Sequence, residues 1–422
     1  MTYLCEDTMK LFQRLLVAPA ALGLMAPLAA NADISPVSNE SDLSSEVIQA
    51  RVDGVESQLG EIMAGQFSST TKMSGKAAFI LGYVDDDNET NTDEITGEYM
   101  YQLNMNTSFT GEDNLYTRIK TGNVADHFAD TAQGTYLSAT NKNGDALKVD
   151  KLWYQFPVGD SLQVWIGPKI ENYYMLASAP SIYKPVLKQF ALGGNGSAYG
   201  SSTSPGFGVA WTQETEDPSA GRWAVSANYT SKDGDHSGSD EGMFGEKTTN
   251  FVMTKVEYGT PQWQVSLATS FKENGASDYD GYFHSALADH NGDITAYALR
   301  AYWQPEESGS IPSIQLGYDT AEMDNPSAGE AEETAGWMVG LGWKDLFIDG
   351  NRAGIALGSR MAATDIKGGG SDPAEDNSVW EAYYTFKVND GVSVTPAIFG
   401  GSDVEVDGKD YTGAVLLTEF RF

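Results

Sequence analysis

The chain has 422 residues, 45 of them glycine and 11% aromatic, and a formal net charge of −33. With no shift in composition along that length, two ordinary soluble domains are not indicated, and the acidic balance argues against nucleic acid as a partner. The sole cysteine, Cys5, falls in a segment expected to be removed, so neither disulfides nor thiolate metal sites are expected.

Lys10 and Arg14 precede an apolar run from Leu15 to Ala30, and Ala30-Asn31-Ala32 forms a small-x-small cleavage site. Residues 1–32 therefore read as an export signal with Asp33 as the mature N-terminus. Glu6 and Asp7 do not suit a positively charged leader, which makes Met9 an alternative start. No later apolar run approaches the roughly 20 residues that a membrane helix needs.

Residues 33–66 read as a periplasmic linker and a helix. Ile48, Val52, Val55, Leu59 and Ile62 form a heptad seam, with Gly65 as the stop. The seam fits either a coiled-coil stalk joining protomers or an amphipathic helix packed on its own barrel.

From Lys72 to the last residue the pattern has period 2. Trp263, Val265, Leu267, Thr269 and Phe271 alternate with Gln264, Ser266, Ala268, Ser270 and Lys272, so one face suits lipid and the other water. The same alternation predicts strands over 72–84, 97–109, 114–122, 146–156, 161–171, 206–215, 220–231, 248–258, 261–272, 293–303, 311–319, 335–344, 351–361, 378–388, 391–400 and 411–422. Tight turns alternate with eight longer polar connections. An even strand count with long and short connections in rhythm predicts an all-β fold: an antiparallel transmembrane β-barrel of about sixteen strands over 67–422, with no edge left in lipid. At the end of the chain, Phe420 and Phe422 share a face with Ala414, Leu416 and Thr418. This resembles the aromatic signal read by the barrel-assembly machinery of outer membranes.

Charge is unevenly placed. Asp85, Asp86, Asp87, Glu89, Asp93 and Glu94 fill the first long connection, and Glu322, Asp324, Glu330, Glu332 and Glu333 fill another. The strands carry the basic residues. Arg118, Lys120, Lys169, Arg222, Lys255, Arg300, Arg352, Arg360 and Lys387 are assigned to the lumen wall, because a lipid-facing charge near the midplane costs roughly 2 to 4 kcal/mol. Asp150, Glu257 and Glu381 are available to pair with some of them.

The longest connection, 172–205, contains neither Asp nor Glu. It carries Tyr173, Tyr174, Tyr183, Lys184, Lys188 and Phe190, and is expected to fold inward as the constriction of the pore; an outward loop covering a neighbouring protomer is the alternative. With Lys184 and Lys188 facing a partly basic wall, the narrowest point is expected to be neutral to positive beneath an acidic mouth.

Asp126-His127, Asp235-His236 and Asp289-His290 lie in long connections without a nucleophile or a second carboxylate pair placed beside them, so no catalytic residue is expected. Asp289-His290-Asn291-Gly292-Asp293 has only part of a calcium-loop pattern, and neither a resident metal nor a cofactor is expected.

The heptad segment followed by Gln66-Phe67-Ser68-Ser69-Thr70-Thr71-Lys72-Met73-Ser74-Gly75 resembles cyanobacterial outer-membrane porins, the iron-uptake group related to the carbohydrate-selective OprB family. Lys151-Leu152-Trp153-Tyr154-Gln155-Phe156-Pro157-Val158-Gly159-Asp160 adds to the likeness. Members usually carry an S-layer-homology domain between signal and coiled coil, and here only residues 33–42 occupy that space. The resemblance implies a homotrimeric channel in outer-membrane lipid for passive diffusion of small ions and hydrophilic solutes, iron included. A carbohydrate-selective porin is the alternative; a barrel serving only as structure and a barrel hydrolase are further ones.

Overall fold

The computed structural model describes residues 70–422 except 87–93, 125–127, 130–133, 142, 195–196, 201–202, 275–291 and 404–409. The expected signal segment, linker and heptad helix lie outside the described residues, as do His127 and His290. Phe67–Phe422 forms one compact unit.

The strands are β1 (Thr71–Asp86), β2 (Thr96–Thr107), β3 (Asn114–Gly122), β4 (Lys148–Val158), β5 (Leu162–Ile170), β6 (Ser204–Thr212), β7 (Arg222–Ser231), β8 (Asn250–Gly259) and β9 (Trp263–Lys272). They continue as β10 (Ile294–Trp303), β11 (Ser313–Met323), β12 (Ala331–Lys344), β13 (Arg352–Gly358), β14 (Ala362–Ile366), β15 (Ser378–Asn389), β16 (Val392–Ser402) and β17 (Tyr411–Arg421). The paired strands run antiparallel in one sheet, and β1 pairs with both β2 and β17, so the sheet closes on itself.

Seventeen segments make sixteen staves. Both β13 and β14 pair with β12, at Met338↔Gly358 and Ala335↔Ala362 respectively. Between those two pairs, residues 359–361 face only two residues of β12, so one residue is extra and the stave is bent by a bulge. The predicted strand over 351–361 is therefore interrupted, and it resumes where no strand was expected. The result is a closed sixteen-stranded antiparallel barrel.

Faces follow the alternation. Trp263, Val265, Leu267 and Phe271 are exposed on the outside, as are Trp223, Val225, Trp337 and Val339. Tyr229 shares that outer face but is covered by Phe244, whose ring stacks on it at 4.6 Å. The other face holds Ser226, Lys255, Ser266, Arg300 and Gln315, all buried inside the barrel. A bilayer dictates this arrangement, since lipid offers no partner to a polar side chain whereas the lumen offers water and other polar groups.

The seam between first and last strands is held by more than its ladder. Gly75 and Phe422 exchange backbone hydrogen bonds of 2.6 and 3.1 Å, Phe420 packs on Phe79 at 5.0 Å, and Phe422 lies over Tyr101 at 6.1 Å. A Cβ on Gly75 would come within 2.1 Å of the Phe422 ring, so glycine is what lets the terminal aromatic lie flat across the seam.

Aspartates set several tight turns. Asp113 accepts from Ser108 Oγ, from the Phe109 and Thr110 backbone and from Thr110 Oγ1, all at 2.8–2.9 Å, while its other oxygen accepts from Tyr154 at 2.7 Å. Burial alone would raise its pKa, but these donors hold the carboxyl well below the usual carboxylate range. Asp217 is lowered by Ser219, and Asp345 by Ser308 and the Gly350 amide.

Because these pKa values lie below their unfolded ones, the turns contribute their full stability above roughly pH 4 and lose it as pH falls through the folded values. Resistance of the refolded barrel to SDS should therefore be flat from neutral pH down to about pH 4 and decline below it, and Asp113→Ala should weaken it at neutral pH, by less as the pH falls below about 4. Phe422→Ala should slow refolding into vesicles, read as the heat-modifiable gel shift, while Phe347→Ala, on a turn away from the seam, should not.

Candidate functional site

A lumen this wide cannot be filled by wall side chains alone, and two long connections enter it. The described residues of 171–203 run across the interior. The Ala177 amide donates to Ser226 Oγ on β7 at 2.9 Å, Ser178 Oγ to Glu257 on β8 at 2.7 Å, and the Ile182 amide to Gln315 on β11 at 3.0 Å. Tyr183 reaches Glu381 on β15 at 2.8 Å, and the Val186 and Leu187 amides donate to the same carboxylate at 3.2 and 2.6 Å. Gly317 on β11 must be glycine, because the Gly193 carbonyl oxygen would lie 1.6 Å from its Cβ.

The second entrant, 123–147, was read from sequence only as an outer connection. Phe128 is fully buried and would touch a side chain at Gly82 on β1; Tyr411 on β17 donates to the Gly134 carbonyl at 3.4 Å. A bridge between Leu137 and Leu187 and a 2.7 Å bond from the Ser138 amide to the Val186 carbonyl join the two loops. Its apolar residues Phe128, Tyr136 and Leu137 were the available signal, since an outward loop has little use for them.

The expected constriction residues fall as follows. Tyr173 donates to Glu171 and Tyr174 accepts from Arg118 at 3.1 Å, with the Tyr174 ring 4.8 Å from Trp153. Lys188 sits 4.9 Å over the Tyr136 ring. Phe190 is buried. Lys184 is exposed, and its carbonyl accepts from Tyr383 at 2.6 Å. Burial would raise Glu171, but Lys151 and Lys188 hold its carboxyl below its ordinary value.

The wall cations are largely matched. Arg118 pairs with Asp150, Lys255 with Glu257, and Arg300 with Asp319 through bonds of 2.7 and 2.9 Å. Lys151 pairs with Glu171 at 2.8 Å, and Glu419 with Lys76 and Arg421. Lys120 donates to the Thr140 carbonyl at 2.6 Å. Arg360 is buried in the stave bulge, its backbone held by Asn377 at 2.7 Å. Arg352 shares the lumen face with Thr385, its register partner. Arg222 is exposed on the lumen parity of Ala224 and Ser226, and Lys387 pairs with Asp390 at the rim at 2.7 Å.

Two expectations fail. Lys169 does not reach the lumen: the ladder slips between Gly167 and Ile170, Lys169 lies opposite Leu152 on the outer side, and Ile170 is buried instead. Pro168, which cannot donate to a ladder, marks the place. Glu381 meets no cation; its partners are the loop donors given above.

One stretch of wall, next to Arg118 and Lys120, is rich in amides and aromatic rings, and its two tryptophans are buried against Tyr174 and Met175 of the loop. On the lumen face, Asn106 on β2 stands opposite Tyr116 on β3 and that opposite Trp153 on β4, Asn114 on β3 stands opposite Gln155 on β4 and that opposite Trp165 on β5, and Asn104 and Gln102 on β2 stand opposite Arg118 and Lys120. Gln102 and Tyr116 both donate to Asn104 at 2.8 Å, Asn114 to Asn106 at 3.0 Å, and Trp165 to Gln155 at 3.1 Å. Tyr116 and Trp153 lie 4.3 Å apart.

His236 is exposed, 3.7 Å from Asp233 and 3.9 Å from Glu241. Among the described residues no group of three or more His, Cys, Asp or Glu could hold a metal ion.

Arg300 and Asp319 are both nearly inaccessible, so Asp319→Ala strands a buried guanidinium and should cost roughly 3 to 5 kcal/mol in denaturant unfolding. A double replacement, Arg300→Met with Asp319→Leu, should recover most of that loss. If both variants lose equally, the pair is not the source of the cost.

The fold has known counterparts. The structure is similar to that of OprB from Pseudomonas putida at high pH, with TM-score 0.57 and 11% identity, covering 88% of this chain and 97% of that one. It is also similar to OmpF of Salmonella typhi in complex with daunomycin, with TM-score 0.51 and 15% identity, covering 83% and 97%. At these identities the likeness concerns fold alone. By sequence, an uncharacterized protein of Nostoc is 24% identical over 399 residues, covering 85% of this chain and 66% of that protein, so the chain spans just under two thirds of this relative's length. An uncharacterized protein of Synechocystis is also 24% identical, over 431 residues, covering 90% of this chain and 74% of that protein. The model of the carbohydrate-selective porin, OprB family, matches residues 40–399. A closed barrel with a polar lumen and a family match across most of its length identify the chain as a member of the carbohydrate-selective porin family, OprB, of the bacterial outer membrane.

Proposed function

We propose that this porin passes small neutral hydrophilic solutes, saccharides foremost, along the wall of β2 to β5, and that residues 171–203 set its narrowest point. The observation that carries the reading is a row of side-chain amides beside an aromatic cluster on β2 to β5, together with the pairing of the wall cations. Arg118, Lys151, Lys255 and Arg300 are each paired with a carboxylate, which lowers the net field available to sort ions. The wall of β2 to β5 offers half-buried amide oxygens and nitrogens beside the Tyr116 ring, with Trp153 and the loop's Tyr174 packed behind it. Hydroxyls of a sugar exchange hydrogen bonds with amides, and its C–H face packs on an aromatic ring.

Inorganic ions, hydrated iron included, form a second reading. Exposed Lys184 and half-buried Lys188 on the loop support it, since fixed positive charge at a narrow point favours anions. The assembly we propose is a homotrimer in outer-membrane lipid, inserted by the barrel-assembly machinery with Phe420 and Phe422 as its signal.

Proteoliposome swelling compares the readings. Mono- and disaccharides should enter faster than charged solutes of equal size, and Trp153→Ala with Tyr116→Ala should erase that preference while small-ion conductance persists. Reversal potentials in a salt gradient should lie near zero and move toward cations on Lys184→Glu. Strong ion selectivity in the wild type, with saccharides no faster than charged solutes, would favour the second reading instead.

A further inference from the structure

Four carboxylates are buried on the described strands: Glu257, Asp319, Glu381 and Glu419. Three hold a lysine or arginine. Glu381 is the exception, fully buried on β15, and all three of its hydrogen bonds come from residues 183–187. Its register partners, Ala356 on β13 and Phe399 on β16, are uncharged. The titratable groups facing it are Tyr183 on the loop, Tyr383 on β15 and Tyr411 on β17, all phenols. Tyr383 itself donates to the Lys184 carbonyl at 2.6 Å, so the same strand grips the segment twice.

From this geometry we infer that Glu381 is a positioning residue of the pore: its carboxylate latches residues 183–187 to β15, and so sets both the width of the channel and the place of Lys184 within it. The reading rests on 171–203 forming the constriction. A carboxylate with both oxygens accepting suits three converging donors. A carboxylic acid does not, because one oxygen becomes a donor and confronts a donor already there. Protonation thus weakens the grip on Tyr183, Val186 and Leu187 without removing any wall atom, and no adjacent cation is left stranded by it. The same segment carries the Leu137–Leu187 bridge, so release at Glu381 also loosens the second inward loop.

The test compares wild type, Glu381→Gln and Tyr183→Phe, each refolded and checked for the heat-modifiable gel shift, in planar bilayers from roughly pH 8 to pH 4.5. Glu381→Gln should raise single-channel conductance by at least about twofold, admit larger saccharides and add open-channel noise. Its conductance should not change with pH, whereas the wild-type channel should widen reversibly on acidification. Tyr183→Phe keeps the carboxylate and should lie between the two. Equal conductance, exclusion limit and pH profile for all three would overturn the inference. If Glu381→Gln does not assemble, Tyr183→Phe decides: wild-type behaviour in it counts against the latch. Saccharide preference over ions is read separately, so its loss in the wild type bears on the proposed solute and not on Glu381.

Discussion

Backbone that enters a barrel must find hydrogen-bond partners there, because an unmet buried amide or carbonyl costs as much as a lost hydrogen bond. Much of the lumen follows from that demand. The wall side chains facing residues 171–203 read as a series of acceptors and donors placed for a particular stretch of main chain: Ser226 for Ala177, Gln315 for Ile182, Glu381 for Val186 and Leu187, Arg300 for the Leu192 carbonyl. The ion pairs have the same origin. Lys255 and Arg300 are needed as donors to loop carbonyls, and once buried each needs a carboxylate beside it.

This demand also divides the lumen. Where loop and wall meet, buried cations are paired with carboxylates and the loop backbone is hydrogen-bonded to wall side chains. Along β2 to β5 the amides and Tyr116 bond largely to one another through side chains and stay half-buried, while Trp153 and Trp165 are buried against loop residues. On the proposed function, selectivity belongs to the amide-lined wall and aperture to the loop and whatever holds it, and the two are separable because Tyr116 sits on β3 and Glu381 on β15.

The strands were legible because lipid enforces a strict period of two, and each predicted strand overlaps an observed one. The misses sit where the ladder slips. Lys169 was placed on the lumen by counting in twos through Pro168, but a bulge there shifts the count by one. The stave broken at 359–361 was missed for a similar reason: a bulge adds a residue without changing composition. Charge on a shared face makes Asp150 and Glu257 available to the wall cations, and their partners are Arg118 and Lys255. The cation-free partnership of Glu381 is not legible that way, because its partners are backbone amides about 195 positions away, which side-chain chemistry cannot announce.

Planar-bilayer conductance of the refolded wild-type protein, measured with neutral polymers of graded size, tests most directly that this is a water-filled channel narrowed by its own loops. The account predicts discrete ohmic steps, lowered by the smallest polymers and indifferent to any polymer wider than the gap left beside residues 171–203. Absence of steps, or a cut-off as wide as an unobstructed sixteen-stranded barrel, would contradict it.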